Sequence, residues 1–356
     1  MKNIIRILTL IFIITTAKQS FVLANDISLH NFFQYKVDGG TTFTYYCMPQ
    51  LNSNYLIYSF DIKFIKLLNH SSKIILCLEG TGNVVYAYTN INDIVKLQNR
   101  CLNLKISKLF YETILCHNRI TVTVGKIGFF SYFAKNAYAG NETTQFITGM
   151  FSKDQLVDVP KEPCAVRTNY VLSKKINLDY AYYLSELNSL NALQGTYTDT
   201  TTNYRIYSWR SNYININGKQ HYLYGYGTSI DKTINEKFGI FYRFCHKNSD
   251  TIKQQGFCKL PVSHLWSIGA QFKNRVHDVL GLAIGKIYVD NKKLSYNALI
   301  AIPYANNITA TQIELYYNFK LNNSIHISPI IQSFVKQAHK NTNTLFVYGI
   351  RTRISF

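Results

Sequence analysis

The chain has 356 residues, 47% hydrophobic and 15% aromatic, with a formal net charge of +19 and a mean hydropathy close to zero. A bundle of membrane-spanning helices is far more apolar, and 28 Tyr and 22 Phe against 3 Met and 6 Pro is a strand-favouring mixture. The basic excess would suit nucleic acid, but no recognition helix is visible and the chain opens on an export signal.

That opening is Met1-Lys2-Asn3-Ile4-Ile5-Arg6, an apolar run from Ile7 to Ala17, and Val22 and Ala24 at the recognition positions of a cleavage site. The run is too short for a span of roughly 20 residues. Residues 1–24 are therefore expected to be a cleaved signal peptide, and residues 25–356 one exported domain. Seven cysteines are too few for a disulfide scaffold, and none form a C-x-x-C pair. Their number is odd, and Cys245 and Cys258 could clip a loop in an oxidising compartment.

In chain order, Val37 to Gly40 reads as a turn and Thr41 to Cys47 as a strand. Leu56, Tyr58, Phe60, Ile62 and Phe64 then alternate along one face. Lys73 to Glu79 is a strand closed by Gly80-Thr81-Gly82-Asn83, which reads as a turn because no Lys-Ser/Thr follows it as in a phosphate loop. Cys101 to Tyr111 and Arg119 to Lys126 alternate again. After Lys126 periodicity is lost: Phe129-Phe130-Ser131-Tyr132-Phe133 leads through an asparagine-rich stretch to Pro160-Lys161-Glu162-Pro163. Aperiodic segments of this length tend to be functional, and one folded into a barrel lumen accounts for its apolar content.

From Ile176 the alternation is plainest. Ile176, Leu178, Tyr180, Tyr182 and Leu184 share a face, as do Phe238, Ile240, Tyr242 and Phe244 with Arg243 opposite. Polar stretches such as 188–203, 215–220 and 336–343 read as connections. In the final segment Phe346, Tyr348, Ile350, Thr352, Ile354 and Phe356 lie on one side, and Gly349, Arg351, Arg353 and Ser355 on the other. An apolar face towards lipid and a polar face towards a watery lumen explain that pattern. The fold expected is all-β, a transmembrane antiparallel β-barrel with inward-folded loops. Roughly 14 to 18 strands fit the length, and even-numbered closure favours 16. A barrel that wide keeps an aqueous channel unless something plugs it.

Val122 to Phe151, Ser267-Ile268-Gly269-Ala270 with Asp278 to Ala283, Glu314-Leu315-Tyr316-Tyr317 with Ile325 to Gln332, and Gly349-Ile350-Arg351 to Phe356 resemble the carbohydrate-selective porins. The chain departs from that pattern at Ile330, where the family usually has an acid, and at Phe334-Val335-Lys336. The resemblance implies passive diffusion of sugars through a 16-stranded outer-membrane channel. Such a pore needs groups that replace water on hydroxyls and flat apolar surfaces for sugar rings. Inward-facing Arg243, Arg351 and Arg353 are the candidate donors, with Lys126 at the mouth of the long loop and Tyr132 and Tyr138 as candidate rings.

Two other readings stay open: a general anion-preferring porin, for which the basic excess would focus anions in the lumen, and a surface-exposed barrel with an adhesive role. The expected partners are outer-membrane lipids and small sugars or anions, with the protein a monomer or homotrimer. No cofactor or metal is expected, and no enzyme. His326 and Ser328 share a strand face but lack an orienting third group, and the nine histidines show no H-E-x-x-H spacing.

Overall fold

A computed structural model describes residues 35–355 other than 49–52, 88–99, 155, 158, 161–162, 187, 215–219, 249–261, 275–277, 290–308 and 339–340. Sixteen strands form one closed barrel: β1 (Tyr35–Met48), β2 (Ser53–Leu67), β3 (Ser72–Ala87), β4 (Arg100–Leu115), β5 (Ile120–Lys126), β6 (Cys164–Val171), β7 (Ile176–Leu184) and β8 (Asn188–Thr198). The second half is β9 (Thr202–Ile214), β10 (Gln220–Thr233), β11 (Phe238–Asn248), β12 (Val262–Lys273), β13 (Val279–Val289), β14 (Thr309–Lys320), β15 (Ile325–Ala338) and β16 (Asn341–Ser355). Each strand pairs antiparallel with its sequence neighbours. β1 closes on β16 in a register running from Gly40 opposite Ser355 to Cys47 opposite Tyr348. Closure leaves no edge with unpaired backbone groups, which is what lets strands cross lipid.

The alternation decides which face is which. In β7, Ile176, Leu178, Tyr180, Tyr182 and Leu184 are exposed outward, while Asp179, Ala181 and Tyr183 are buried on the lumen side. In β16, Phe346, Tyr348 and Ile350 point out, and Val347, Gly349 and Arg351 point in. A one-residue slip would put Arg351 in lipid, so register is strongly specified.

Four sequence expectations are corrected. Residues 336–343, read as a connection, are mostly strand: Lys336, Gln337 and Ala338 of β15 pair with Asn343, Thr342 and Asn341 of β16. Residues 188–203 are not a connection: β8 occupies most of them, with inward Leu190, Ala192 and Gln194 buried. Its outward row mixes Asn191 with Leu193, which hides the period. Gly80 to Asn83 lies inside β3. A Cβ at Gly82 would stand 2.3 Å from the Tyr58 ring, so the glycine makes room for a neighbouring aromatic and does not mark a turn. Val37 to Gly40 likewise lies inside β1, where a Cβ at Gly40 would meet the Ile354 carbonyl at 2.7 Å. Cys245 is a free, buried thiol, and Cys258 lies outside the described residues, as does the expected signal peptide.

Connections alternate in length around the barrel. One end has short turns such as 68–71, 116–119, 172–175, 234–237 and 321–324, with the start of β1 and the end of β16; the other has 88–99, 127–163, 249–261 and 290–308. By this asymmetry the short-turn end is periplasmic and the long-loop end extracellular. Segment 127–163 folds into the interior and forms two apolar clusters against the inner wall. Phe129 and Phe133 pack with Tyr183, Leu190 and Trp209; Phe146, Met150 and Phe151 pack with Phe241, Leu265 and Tyr316.

Candidate functional site

The site is this inward loop and the wall that holds it. The loop leaves β5 at Lys126 and turns at once, with a short 3₁₀ turn at Phe129–Ser131. Phe129 stacks on Phe133 with centroids 4.9 Å apart and tilts against Tyr183 at 5.7 Å. The Tyr132 ring lies under the Arg167 guanidinium at 4.0 Å, and its hydroxyl donates to Glu112 Oε2 at 3.1 Å. Burial and the Glu112 charge push that phenol well above its ordinary range. Arg167 is also ion-paired with Asp179 on β7, so the loop begins on a wall of matched charge.

Farther along, backbone groups of the loop are bonded by inward side chains of successive strands. Ala134 N donates to Gln194 Oε1 at 2.8 Å, and Ser229 Oγ donates to the Lys135 carbonyl at 2.8 Å. The Gln271 amide donates to the Tyr138 carbonyl, Arg243 Nη2 to the Ala139 carbonyl at 2.8 Å, and Asn318 Nδ2 to the Thr144 carbonyl. Arg351 spans two carbonyls, donating through Nη1 to Glu142 O at 2.8 Å and Gln145 O at 2.7 Å, and through Nη2 to Ser328 Oγ.

The far end is held by a carboxylate. Helix α1 (Gly149–Ser152) has Thr148 as its N-cap, and Glu314 on β14 sits below that end. It accepts from Ile147 N at 2.7 Å, Thr148 N at 3.1 Å and Thr148 Oγ1 at 2.6 Å, with Gln332 Nε2 also donating at 3.1 Å. Helix N-terminal amides aimed at an anion satisfy the donors the helix cannot. The return limb buries Asp154, whose carboxylate accepts from Leu156 N and from Tyr207 Oη at 2.8 Å. Desolvation drives its pKa upward despite these bonds.

The loop folds around a cavity of about 310 Å³ lined by its own Phe130, Lys135, Asn136, Asn141, Gln145 and Lys153, among others, with Arg243 reaching it from the wall. Beside the start of the loop, Lys63 and Lys108 flank Cys77 in one inward row of β2–β4, with Asp61 and Glu79 in the next. Lys108 Cε comes within 3.1 Å of where a Cβ on Gly128 would stand.

The six residues singled out in the sequence fall in different places. Arg243 and Arg351 face inward but are buried, 3% and 1% exposed, beneath the loop. Arg353 faces the lumen partly exposed, with Nη1 3.3 Å from Asp61 Oδ1. Tyr132 and Tyr138 lie in the loop, packed on the wall. Tyr138 Oη is 2.5 Å from Thr233 Oγ1, and its ring occupies the space a Cβ would need at Gly239. Lys126 stands opposite Leu109 and Cys164, keeping the parity of outward Val122 and Val124 at the root of the loop. Sequence reasoning missed Glu314, Gln194, Gln271, Lys63, Lys108, Lys135 and Lys153. The wall residues among them occupy inward positions opposite apolar rows, so the signal was the same parity that exposed Arg351.

The closed 16-stranded wall and the inward loop 127–163 define the porin class of outer-membrane barrels. The sequence model of the carbohydrate-selective porin, OprB family, matches residues 213–356, the wall from the end of β9 to the last strand, in keeping with the resemblance read from the sequence. The OprB of Pseudomonas putida in its high-pH structure superposes with a TM-score of 0.65 at 13% identity, covering 91% of this chain and 94% of that one. The DcaP outer-membrane channel of Acinetobacter baumannii gives 0.59 at 11%, covering 91% and 97%. The trimer form of Vibrio cholerae OmpT gives 0.59 at 10%, covering 91% and 99%. None of the curated proteins matches the chain. The protein is an outer-membrane porin-type barrel.

Proposed function

We propose that the barrel is a passive diffusion channel for carbohydrates and other small polar solutes, exported on a leader removed after Ala24. The observation that carries this reading is the segment 127–163, bonded across the lumen and bordering a cavity of about 310 Å³ whose lining mixes amides and ammonium groups with the Phe130 ring. Amides and ammoniums replace water on sugar hydroxyls, a ring covers an apolar sugar face, and a partly open cavity lets the solute go. In this reading Arg243, Arg351, Tyr132 and Tyr138 act through the loop they position. Lys135, Lys153 and Arg353 meet the solute, and Lys126 marks the loop's root.

A second reading, a general anion-preferring pore, is favoured by one observation: Lys63 and Lys108 on the wall and Lys135 and Lys153 on the loop put cations on both sides of the lumen. Swelling rates of liposomes holding the folded protein separate the two. The sugar reading expects neutral monosaccharides to enter faster than uncharged polyols of equal size, with saturation. Rates ordered only by size and negative charge would replace it with the anion pore.

A further inference from the structure

The outward surface of β9–β13 is unlike the rest of the wall at the long-loop end. Four rings run side by side across four strands. Tyr226 and His246 have centroids 5.2 Å apart, His246 and His264 6.3 Å, and His264 and Tyr288 4.3 Å. On β9 and β10, two residues nearer the long-loop end than Tyr226, Arg210 pairs with Tyr224 and lies over Tyr222, 4.4 Å from the ring centre; on β13, Lys286 lies over Tyr288 at 5.1 Å. Neither cation has a carboxylate partner among the described residues, and no described acidic residue shares this face. In the next register row Phe244 and Trp266 stand beside Lys286, and in the row below Tyr242, Ile268 and Ile284 begin the apolar band. Outward positions at the same end elsewhere, such as Leu184, Asn191, Thr311, Ser333, Phe346 and Tyr348, are uncharged, apart from Lys126 at the root of the inward loop.

A local device fixes the middle of the row. The β12–β13 register shifts between Val262 and His264, and bulges of this kind re-aim side chains. At the shift Ser263 Oγ donates to the Tyr288 carbonyl at 3.2 Å and lies 3.0 Å from His264 Nδ1. A hydroxyl has one proton, so Nδ1 is the donor to Oγ, which fixes the orientation of the His264 ring in the row.

A charge on the lipid face costs least at the interface, and cation–π contact pins these two side chains there with N–H groups unspent. We propose that this face is a docking site for the phosphorylated saccharide headgroup of an outer-leaflet lipid. Arg210 and Lys286 take phosphate groups, and the row of rings lies against the sugar between them. The reading is independent of what the lumen conducts.

The test is native mass spectrometry of the full-length folded protein in detergent, titrated with bisphosphorylated lipid A, its dephosphorylated form, or inorganic phosphate. The first is expected to give a saturable adduct and the other two none. Arg210→Gln with Lys286→Gln should weaken the adduct roughly 30-fold, about fivefold per charge, while Arg210→Lys with Lys286→Arg retains it. If the first pair does not fold by heat-modifiable gel migration, His246→Gln with His264→Gln must weaken the adduct instead. Equal binding of the dephosphorylated lipid, an adduct with phosphate alone, or unchanged affinity in the folded variants would overturn the proposal.

Discussion

Glu314→Gln should free the far end of the inward loop without unfolding the barrel. The carboxylate is fully buried and accepts four hydrogen bonds, three of them from Ile147 and Thr148. An amide of the same shape offers one acceptor oxygen and turns an NH₂ towards donors, so at least one loop N–H or O–H loses its partner. Hydrogen bonds to a charged group contribute about 1.5–3 kcal/mol each, and a buried donor left unpaired costs about 1–3 kcal/mol. Losing one partner and weakening the rest amounts to roughly 3 kcal/mol, which raises the population of the released loop by about two orders of magnitude. The strand ladder does not involve this side chain, so folding measured by gel migration should be unchanged. Limited proteolysis of the folded barrel should cut between residues 136 and 153 in the variant and not in the parent. Equal protection in both would refute the assignment of Glu314 as the anchor.

Arg351→Ala leaves the Glu142 and Gln145 carbonyls unpaired and should loosen the loop by several kcal/mol, whereas Arg353→Ala, whose partners are Asp61 and Thr42, should leave hydrogen-exchange protection of the loop intact. Lys63→Glu with Lys108→Glu should move the zero-current potential in a salt gradient towards cation selectivity, because both side chains share an inward row. Asp154, in the loop, has a carboxyl held above its usual range by burial. Its contribution to loop docking is full below the ordinary carboxylate range and is lost as pH rises through the raised value. Loop protection should therefore fall with pH over that window in the parent and stay flat in Asp154→Asn; a parallel fall in both would show that another group controls it.

Much of the wall was legible because lipid and water impose a period of two. Phe346, Tyr348 and Ile350 against Gly349, Arg351 and Arg353 gave the faces of β16, and the loss of period after Lys126 gave the inward loop. β8 was not legible, since Asn191 lies on its outward row and Gln194 on its inward one, blurring the contrast. The loop's anchors were hidden for a different reason. Glu314 bonds Thr148 and Arg351 bonds Glu142 at separations of 166 and 209 residues, and no local pattern encodes such pairing. Hence Arg243 and Arg351 were recognisable as inward cations, but their use in holding loop carbonyls depends on the path of residues 127–163.

Single-channel conductance in a planar bilayer tests the central claim most directly. The parent should insert in discrete steps of steady current that monosaccharides reduce in a saturable way. Glu314→Gln and Arg351→Ala should give larger, flickering steps as the loop leaves the wall. A folded parent that inserts and passes no current, or loop-release variants with the parent's steady conductance, would contradict an inward loop that sets the pore.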